Sequence, residues 1–397
     1  MASIRTSFCP SCPPSRRTFL GLSAGAVAAG AALRADGAPR AEAELRIGLI
    51  GCGGRGTGAA VQAAAADPGV RIVALGDMFA DQVDSAAHVL ARDAGRQCIC
   101  PGPRRFSGAD AYRRVLDAGV DAVLIAAPPH LRPVHVEAAV AAGVHVFCET
   151  PAAIDVAGGL RVARALALAR GAGLTVASGL HSRRDDRLAA IVDEERAGVI
   201  GRPRSVDVHA TLGEPWRIPN RAHWSAGESR LRNWISCDSL SGGGFVERHV
   251  HAIDRALWLL DDQTPDVAEP SPMRAGDGVA VRFWFADGKE VRATCVRSVT
   301  ASEPAREVVS GSRGTRNLAL APDGRRFQAT MDAFVRSIRS GSALDDGGIL
   351  LRATLVAIMG RLAASSGRDV RREEVLAADS LAFPVHKIGR GVNLAGI

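Results

Sequence analysis

Three ionisable residues recur with helical spacing in the second half of the chain. Glu247, His251 and Asp254 stand at positions i, i+4 and i+7, which places their side chains on one face of a helix. A histidine can accept a hydroxyl proton near neutral pH, and a neighbouring carboxylate can orient the ring. The spacing predicts a proton-transfer site at His251, with Glu247 assisting and Asp254 available to bind a substrate. A buried helix with a hydrogen-bonded core histidine is the alternative.

A glycine-rich turn near the N-terminus predicts a different chemistry. It has the pattern Gly-x-Gly-x-x-Gly and lies between an apolar run at 45–50 and an Ala-rich stretch at 57–66. A dinucleotide-binding turn requires this strand–turn–helix context, because glycine permits the tight turn and the close approach of the pyrophosphate. The helix N-terminus then directs free N–H groups at the phosphates. The residues of the turn that are predicted to contact a dinucleotide are Gly51, Gly53, Gly54, Arg55 and Gly56.

The acidic residue that selects the nucleotide follows the next strand. A second apolar run at 70–75 leads to Asp77, which lies 21 residues beyond Gly56. A carboxylate there can accept both hydroxyls of the adenosine ribose, whereas it would repel a 2′-phosphate. We therefore predict NAD as the cofactor and regard NADP as less favoured.

The same half of the chain continues as alternating helices and strands. Helical stretches at 111–118 and 133–142 alternate with apolar strands at 121–126 and 144–148. This alternation predicts a parallel sheet that binds its ligand at the carboxyl ends of the strands. The residues at those ends that are predicted to contact the cofactor are Pro128, His130 and Glu149.

Length and composition fit a two-domain globular enzyme. The chain has 397 residues, of which 47% are hydrophobic and 23% are charged. Its net charge of +7 comes from scattered arginines and not from one basic stripe, so we do not expect nucleic-acid binding. The eight cysteines lack the paired spacing of a zinc site, so no metal is predicted.

The N-terminus has the pattern of an export signal. Ser15-Arg16-Arg17-Thr18-Phe19-Leu20 precedes a mildly apolar run at 21–33, which is typical of the twin-arginine pathway. We predict a leader and linker at 1–43, a periplasmic or extracytoplasmic mature protein, and no membrane association after cleavage. Since free nicotinamide cofactor is not maintained outside the cytoplasm, an exported NAD enzyme is expected to hold its cofactor tightly.

Four segments after the leader resemble the Gfo/Idh/MocA family of sugar and polyol oxidoreductases. The matching segments are 48–56, 126–130, 142–151 and 242–254. The resemblance implies an α/β fold with an N-terminal Rossmann domain, whose parallel sheet is doubly wound, and a C-terminal α/β domain with an open, mainly antiparallel sheet. We predict domain boundaries of 44–165 and 166–397. The resemblance also implies a homo-oligomer that uses the second sheet.

The resemblance assigns roles to individual residues. The family residue at the position of His251 transfers the proton, and the residue at the position of Glu247 is usually Asp and binds or assists. The family usually has Glu-Lys-Pro where this chain has Glu149-Thr150-Pro151. Thr150 can form a hydrogen bond in the catalytic site, but it lacks the charge and reach of a lysine. The only lysines are Lys289 and Lys387, and Lys387 is the candidate for a replacement.

Three functions remain compatible with these patterns. The first is the NAD-dependent oxidation or reduction of a CH–OH group in a sugar, polyol or related carbohydrate. The second is a glycoside lyase or hydrolase that uses tightly bound NAD transiently, and the third is a non-catalytic nucleotide-binding relative. Trp224 and Arg232 are predicted to bind the carbohydrate by stacking and hydrogen bonding, although they could equally pack a loop.

Overall fold

The computed structural model describes residues 43–272, 277–298, 305–318 and 324–377. The twin-arginine segment and Lys387 lie outside the described residues.

A six-stranded parallel sheet forms the first half of the described chain. Its order is β3-β2-β1-β4-β5-β6, so the chain changes direction between β1 and β4 and opens a crevice at their carboxyl ends. The strands are β1 (Leu45–Ile50), β2 (Val70–Asp77), β3 (Arg105–Ser107), β4 (Ala122–Ile125), β5 (His145–Cys148) and β6 (Val176–Ser178). The helices between them are α1 (Gly54–Ala66), α2 (Ala80–Asp93), α3 (Ala111–Asp117), α4 (Arg132–Ala141) and α5 (Val156–Gly171). The predicted Rossmann fold is confirmed.

The first domain extends further along the chain than its predicted end. The boundary at 165/166 falls inside α5, and β6 pairs with β5 as the last strand of the first sheet. The boundary therefore lies after Ser178. The sequence at 176–178 is too short to show a distinct strand pattern, and its burial on both faces depends on neighbours far along the chain.

The second half contains a seven-stranded sheet of order β12-β11-β7-β10-β9-β8-β13. Only β7 and β10 pair in parallel, so the predicted open, mainly antiparallel sheet is confirmed. Its strands are β7 (Pro203–Leu212), β8 (Val267–Pro270), β9 (Asp277–Trp284), β10 (Glu290–Arg297), β11 (Arg306–Gly311), β12 (Thr315–Asn317) and β13 (Val370–Arg371). The helices of this half are α6 (Asp186–Arg196), α7 (Ala226–Arg232), α8 (Asp238–Ser241), α9 (Gly243–Glu247), α10 (Val250–Leu259), α11 (Arg325–Ser340), α12 (Gly347–Ser366) and α13 (Arg372–Ala377).

The helix expected to carry Glu247, His251 and Asp254 on one face is interrupted. Glu247 ends α9, whereas the other two residues belong to α10. The N–H of His249 donates to the carbonyl oxygen of Gly244 at 3.1 Å, five residues earlier, which inserts one wide turn. This turn changes the helical register, so the three side chains do not share one face.

Two late helices complete the core of both halves. Helix α12 has a mean hydropathy of 1.5 and is long and apolar enough to cross a membrane, but it packs against α5, β8 and β9. Its apolar surface is therefore explained by contacts inside the fold. Helix α11 returns to pack on α1, and its Met331 and Phe334 are fully buried in one cluster with Ile47 and Leu49 of β1.

We predict that Phe334→Ala lowers the free energy of unfolding by about 3–5 kcal/mol, because it leaves a cavity in the core that α11 shares with the first sheet. Urea unfolding measures the change. Leu168→Ala is the control, since Leu168 is 65% exposed, and it should change the stability by less than about 0.5 kcal/mol. Equal effects of the two substitutions would contradict the docking of α11 on the first domain.

Candidate functional site

The glycine turn after β1 is shaped to accept a ligand. Gly51 has φ +98°, and a Cβ on Gly56 would clash with the carbonyl oxygen of Gly51. Gly53 and Gly54 behave differently, because a Cβ at either position would have no atom within 4 Å. Two glycines therefore close the turn and two leave open space above the N-terminus of α1, which is the cradle that a pyrophosphate requires.

A cleft of ≈ 530 Å³ begins at this turn. This volume lies within the range of pockets that bind small molecules and cofactors. The predicted site residues that line the cleft are Gly51, Gly53, Gly54, Arg55, Gly56, Asp77, Pro128, His130, Glu247 and Arg232. The residues present therefore fit a bound dinucleotide.

Asp77 lies at the carboxyl end of β2, where the sequence predicted it. Its two carboxylate oxygens accept the N–H groups of Cys52 at 2.7 Å and Phe79 at 3.0 Å. These bonds fix the carboxylate beside the glycine turn. Burial raises the pKa of the Asp77 carboxyl despite both hydrogen bonds. Each oxygen retains a second lone pair that could accept a ribose hydroxyl.

Arg132 joins the ends of two central strands and was missed by the sequence analysis. Its side chain is buried and donates to the carbonyl oxygens of Ala127 at 2.8 Å, Glu149 at 3.1 Å and Pro151 at 2.7 Å. Burial lowers the pKa of the guanidinium. The available signal was an arginine directly before the proline that opens α4, shortly after the Pro128-Pro129 turn.

Glu149 is the centre of a buried charge cluster. Its Oε1 lies 2.8 Å from Nε of Arg55 and 3.7 Å from Nε2 of His181. A Cβ on Gly179 would clash with its other oxygen, so a glycine is required beneath the carboxylate. Burial alone would raise the pKa of Glu149, but His181 and the charges of Arg55 and Arg132 outweigh it and hold the pKa at about 2. Sequence reasoning missed His181 and Gly179.

Thr150 and His251 meet although 101 positions separate them in the sequence. The hydroxyl oxygen of Thr150 lies 3.1 Å from Nε2 of His251. Burial lowers the pKa of the His251 imidazole to about 3, and the charge of Arg255 acts in the same direction. The ring is therefore neutral at physiological pH and Nε2 can accept a proton, while Thr150 adds a hydroxyl beside it.

Two polar residues line the cleft itself, His130 and Glu247. His130 donates from Nδ1 to the carbonyl oxygen of Leu240 at 3.1 Å, and burial lowers its pKa to about 4. Burial raises the pKa of the Glu247 carboxyl, whose Oε2 lies 3.5 Å from Nε of Arg248. The cleft thus holds a neutral histidine and a carboxyl group of reduced acidity.

The three residues predicted to bind substrate do not lie together at one place in the cleft. Asp254 is 1% exposed and its carboxylate is paired with Arg183 at 2.7 Å, so it is part of a buried ion pair and does not face the cleft. Arg232 lies on α7, 4.5 Å from the ring of Trp224, and its guanidinium is paired with Asp81 of α2. Arg232 and Trp224 therefore belong to the end of the cleft near Asp77. The sequence carried no sign of this long-range pairing.

Together, the sheet order, the glycine turn and Asp77 define an NAD-binding Rossmann domain. Residues 45–180 match the model of the oxidoreductase family with an NAD-binding Rossmann fold, Gfo/Idh/MocA. The match covers the first sheet from β1 to β6, which supports the later domain boundary. The match covers about a third of the chain, which is therefore similar to this family over its first domain.

Curated relatives are similar to a longer part of the chain, and a solved structure has the same fold. The chain is 30% identical to inositol 2-dehydrogenase 2 of Saccharopolyspora erythraea over 58% of each chain. It is 37% identical to an inositol 2-dehydrogenase of Gluconacetobacter diazotrophicus over 55% of each chain. The match thus spans less than two thirds of these relatives. The structure of scyllo-inositol dehydrogenase from Lactobacillus casei, with NAD(H) and scyllo-inositol bound, has the same fold, with a TM-score of 0.63 at 18% identity over 83% of this chain and 99% of that chain.

We predict that acid destabilises the protein partly through histidines that the fold keeps neutral. Burial lowers the pKa of His249 to about 3 from the ordinary histidine value of 6.5. A group whose pKa is lower in the folded than in the unfolded state costs stability as the pH falls through that interval. His249→Gln should therefore flatten the loss of stability between about pH 6.5 and pH 3, as measured by urea unfolding across pH.

His88→Gln is the matched control, because His88 lies on the exposed face of α2. It should leave the pH dependence of stability as in the unmodified protein. An unchanged slope in His249→Gln would show that His249 protonates without unfolding the protein.

Proposed function

We propose that this protein is an NAD-dependent oxidoreductase that acts on a CH–OH group of a cyclitol, another polyol or a sugar. The observation that carries the proposal is the contact between Thr150 and His251 beside Glu149, at the strand end that follows the dinucleotide crevice. The names of the curated relatives, which are inositol 2-dehydrogenases, favour a cyclitol.

The residues of this chain account for the proton. When NAD is bound, its nicotinamide supplies the acceptor for the hydride that leaves the carbon. The Thr150 hydroxyl, whose oxygen lies 3.1 Å from Nε2 of neutral His251, gives its proton to that nitrogen as it takes the hydroxyl proton of the substrate, so the proton reaches His251 through Thr150. Glu247, which lines the cleft, binds a second hydroxyl of the substrate. The C–O bond becomes a carbonyl as both hydrogens leave.

The threonine at position 150 favours a second candidate function, in which NAD is used only transiently. Thr150 puts a neutral hydroxyl where a lysine would place a cation beside an alkoxide, so we expect net oxidation to be slower than in a site with that lysine. Transient oxidation still acidifies the adjacent C–H bond. A glycoside lyase or hydrolase that returns the hydride to the substrate after elimination is therefore the second candidate.

The export signal and the second sheet support two further parts of the proposal. The twin-arginine segment supports the proposal that the mature protein acts outside the cytoplasm. One face of the second sheet carries charged residues, with Arg292 paired to Asp207 at 3.3 Å and Arg282 paired to Glu290 at 3.3 Å. We propose that this charged face forms the contact of a homo-oligomer. The expected result is that Arg292→Glu lowers the molecular mass of the protein, as measured by light scattering after size exclusion.

We predict that His251→Ala lowers kcat by about 10²–10⁴-fold and retains NADH binding, because it removes the proton acceptor and leaves the glycine turn intact. The assay follows NADH formation from myo-inositol, scyllo-inositol and common sugars, and NADH binding is measured by fluorescence. His88→Ala, on the exposed face of α2, is the control and should keep full activity. Full turnover by His251→Ala would refute the assignment of the proton acceptor.

Thr150→Lys separates the two candidate functions. An increase in NADH formation would support the dehydrogenase, because the added amine supplies the missing cation. Release of an aglycone from a glycoside without net NADH, together with deuterium uptake from solvent beside the oxidised carbon, would support the redox-neutral enzyme. Bound NAD with neither outcome would contradict both and leave a nucleotide-binding protein.

A further inference from the structure

The adenosine end of the cleft is crossed by a segment of the second half of the chain. Helix α7 and the residues on each side of it contribute Trp216, Ile218 and Leu231 to the cleft lining, opposite Phe79 of the first domain. All of these residues lie on the same cleft as Asp77, where the adenosine ribose is expected. The two halves of the protein therefore enclose this end of the cleft together.

One arginine fastens that segment to the first domain. Arg232 donates from its two terminal nitrogens to the two carboxylate oxygens of Asp81, at 2.9 Å and 3.0 Å. Its guanidinium lies 3.9 Å from the centre of the Phe79 ring and 4.5 Å from that of Trp224. We call these four residues the adenosine clasp. A bidentate ion pair with aromatic rings against the guanidinium is a specific arrangement that lysine could not reproduce.

The clasp is held on the second domain as well. Nε of Arg232 donates to Glu228 at 2.8 Å, one turn earlier on α7, so the guanidinium is oriented before it reaches Asp81. The side chain of Arg232 is only 9% exposed, whereas that of Asp81 is 52% exposed. The pair is therefore accessible to solvent on one side and can open, although its arginine is well packed.

The clasp is closed while the cleft remains open behind it. The ≈ 530 Å³ of the cleft is present together with the Arg232–Asp81 pair, so the clasp does not fill the space that a dinucleotide would use. Arg232 and Phe79 of the clasp line the cleft, so a dinucleotide bound there would contact the clasp, and an intact Arg232–Asp81 pair would restrict the departure of its adenosine end.

From these contacts we infer that the adenosine clasp is a gate that retains the dinucleotide, and that Arg232 and Asp81 control its release and not the chemical step. The inference rests on the proposed binding of NAD in this cleft. It extends that proposal by assigning Arg232 and Trp224, first considered as carbohydrate ligands, to the holding of the cofactor.

The test is the dissociation rate of NADH from the full-length mature protein. NADH is displaced by excess NAD in a stopped-flow instrument, and energy transfer from tryptophan reports the release. Asp81→Asn and Arg232→Ala should each raise the dissociation rate by about three- to ten-fold, because each removes the ion pair and the second also removes the stacking. The double variant should be no faster than Arg232→Ala, since both changes break one contact.

Arg217→Ala is the matched control, because Arg217 is an exposed arginine of the same segment. It should stay within about two-fold of the unmodified protein. Asp81→Asn guards against misfolding, since it changes an exposed side chain and leaves Arg232 paired with Glu228. Higher salt should accelerate NADH release from the unmodified protein and have less effect on Arg232→Ala.

The outcomes separate this inference from the proposed function. Dissociation rates of Asp81→Asn and Arg232→Ala that match the unmodified protein would overturn the gate while leaving NAD binding intact. A failure of the unmodified protein to bind NADH would overturn both. Faster release from the two clasp variants with an unchanged rate in the control would support the gate, whatever substrate is turned over.

Discussion

The candidate site depends on a single buried guanidinium. Arg132 binds the carbonyl oxygens of Ala127, Glu149 and Pro151, and so joins the turn after β4 to the turn after β5. Those carbonyls lie in segments that have left the sheet and cannot be paired by neighbouring strands, so burying them without a donor would be costly. The Thr150 hydroxyl therefore has a fixed position because the main chain on both sides of it is bound to Arg132.

The charges around this position have one consequence for the chemistry. Glu149 remains ionised because Arg55, Arg132 and His181 surround it, whereas His251 remains neutral because burial opposes its protonation. Ionised Glu149 therefore provides a negative charge and neutral His251 a proton acceptor, and Thr150 lies between them in the structure as the residue after Glu149 and the contact of His251. The absent lysine changes the charge balance of the site, but it does not remove either of these groups.

Local steric rules made the first half of the fold predictable. The glycine turn could be read from the sequence because only glycine fits beside the carbonyl oxygen of Gly51, and Asp77 followed from strand length and spacing. The interrupted helix at 243–259 could not, because the wide turn at His249 is a feature of packing and leaves no pattern in side-chain types. The ion pair of Arg232 could not be predicted for a related reason: its partner Asp81 is 151 residues away, and sequence spacing says nothing about such a pair.

The return of α11 to the first domain also sets an order of events during synthesis. The hydrophobic cluster behind β1 includes Met331 and Phe334, so more than four fifths of the chain must leave the ribosome before that cluster can form. Until then the nascent nucleotide-binding domain exposes an apolar surface, which favours its binding by chaperones. The core of the first domain is therefore completed only near the end of translation.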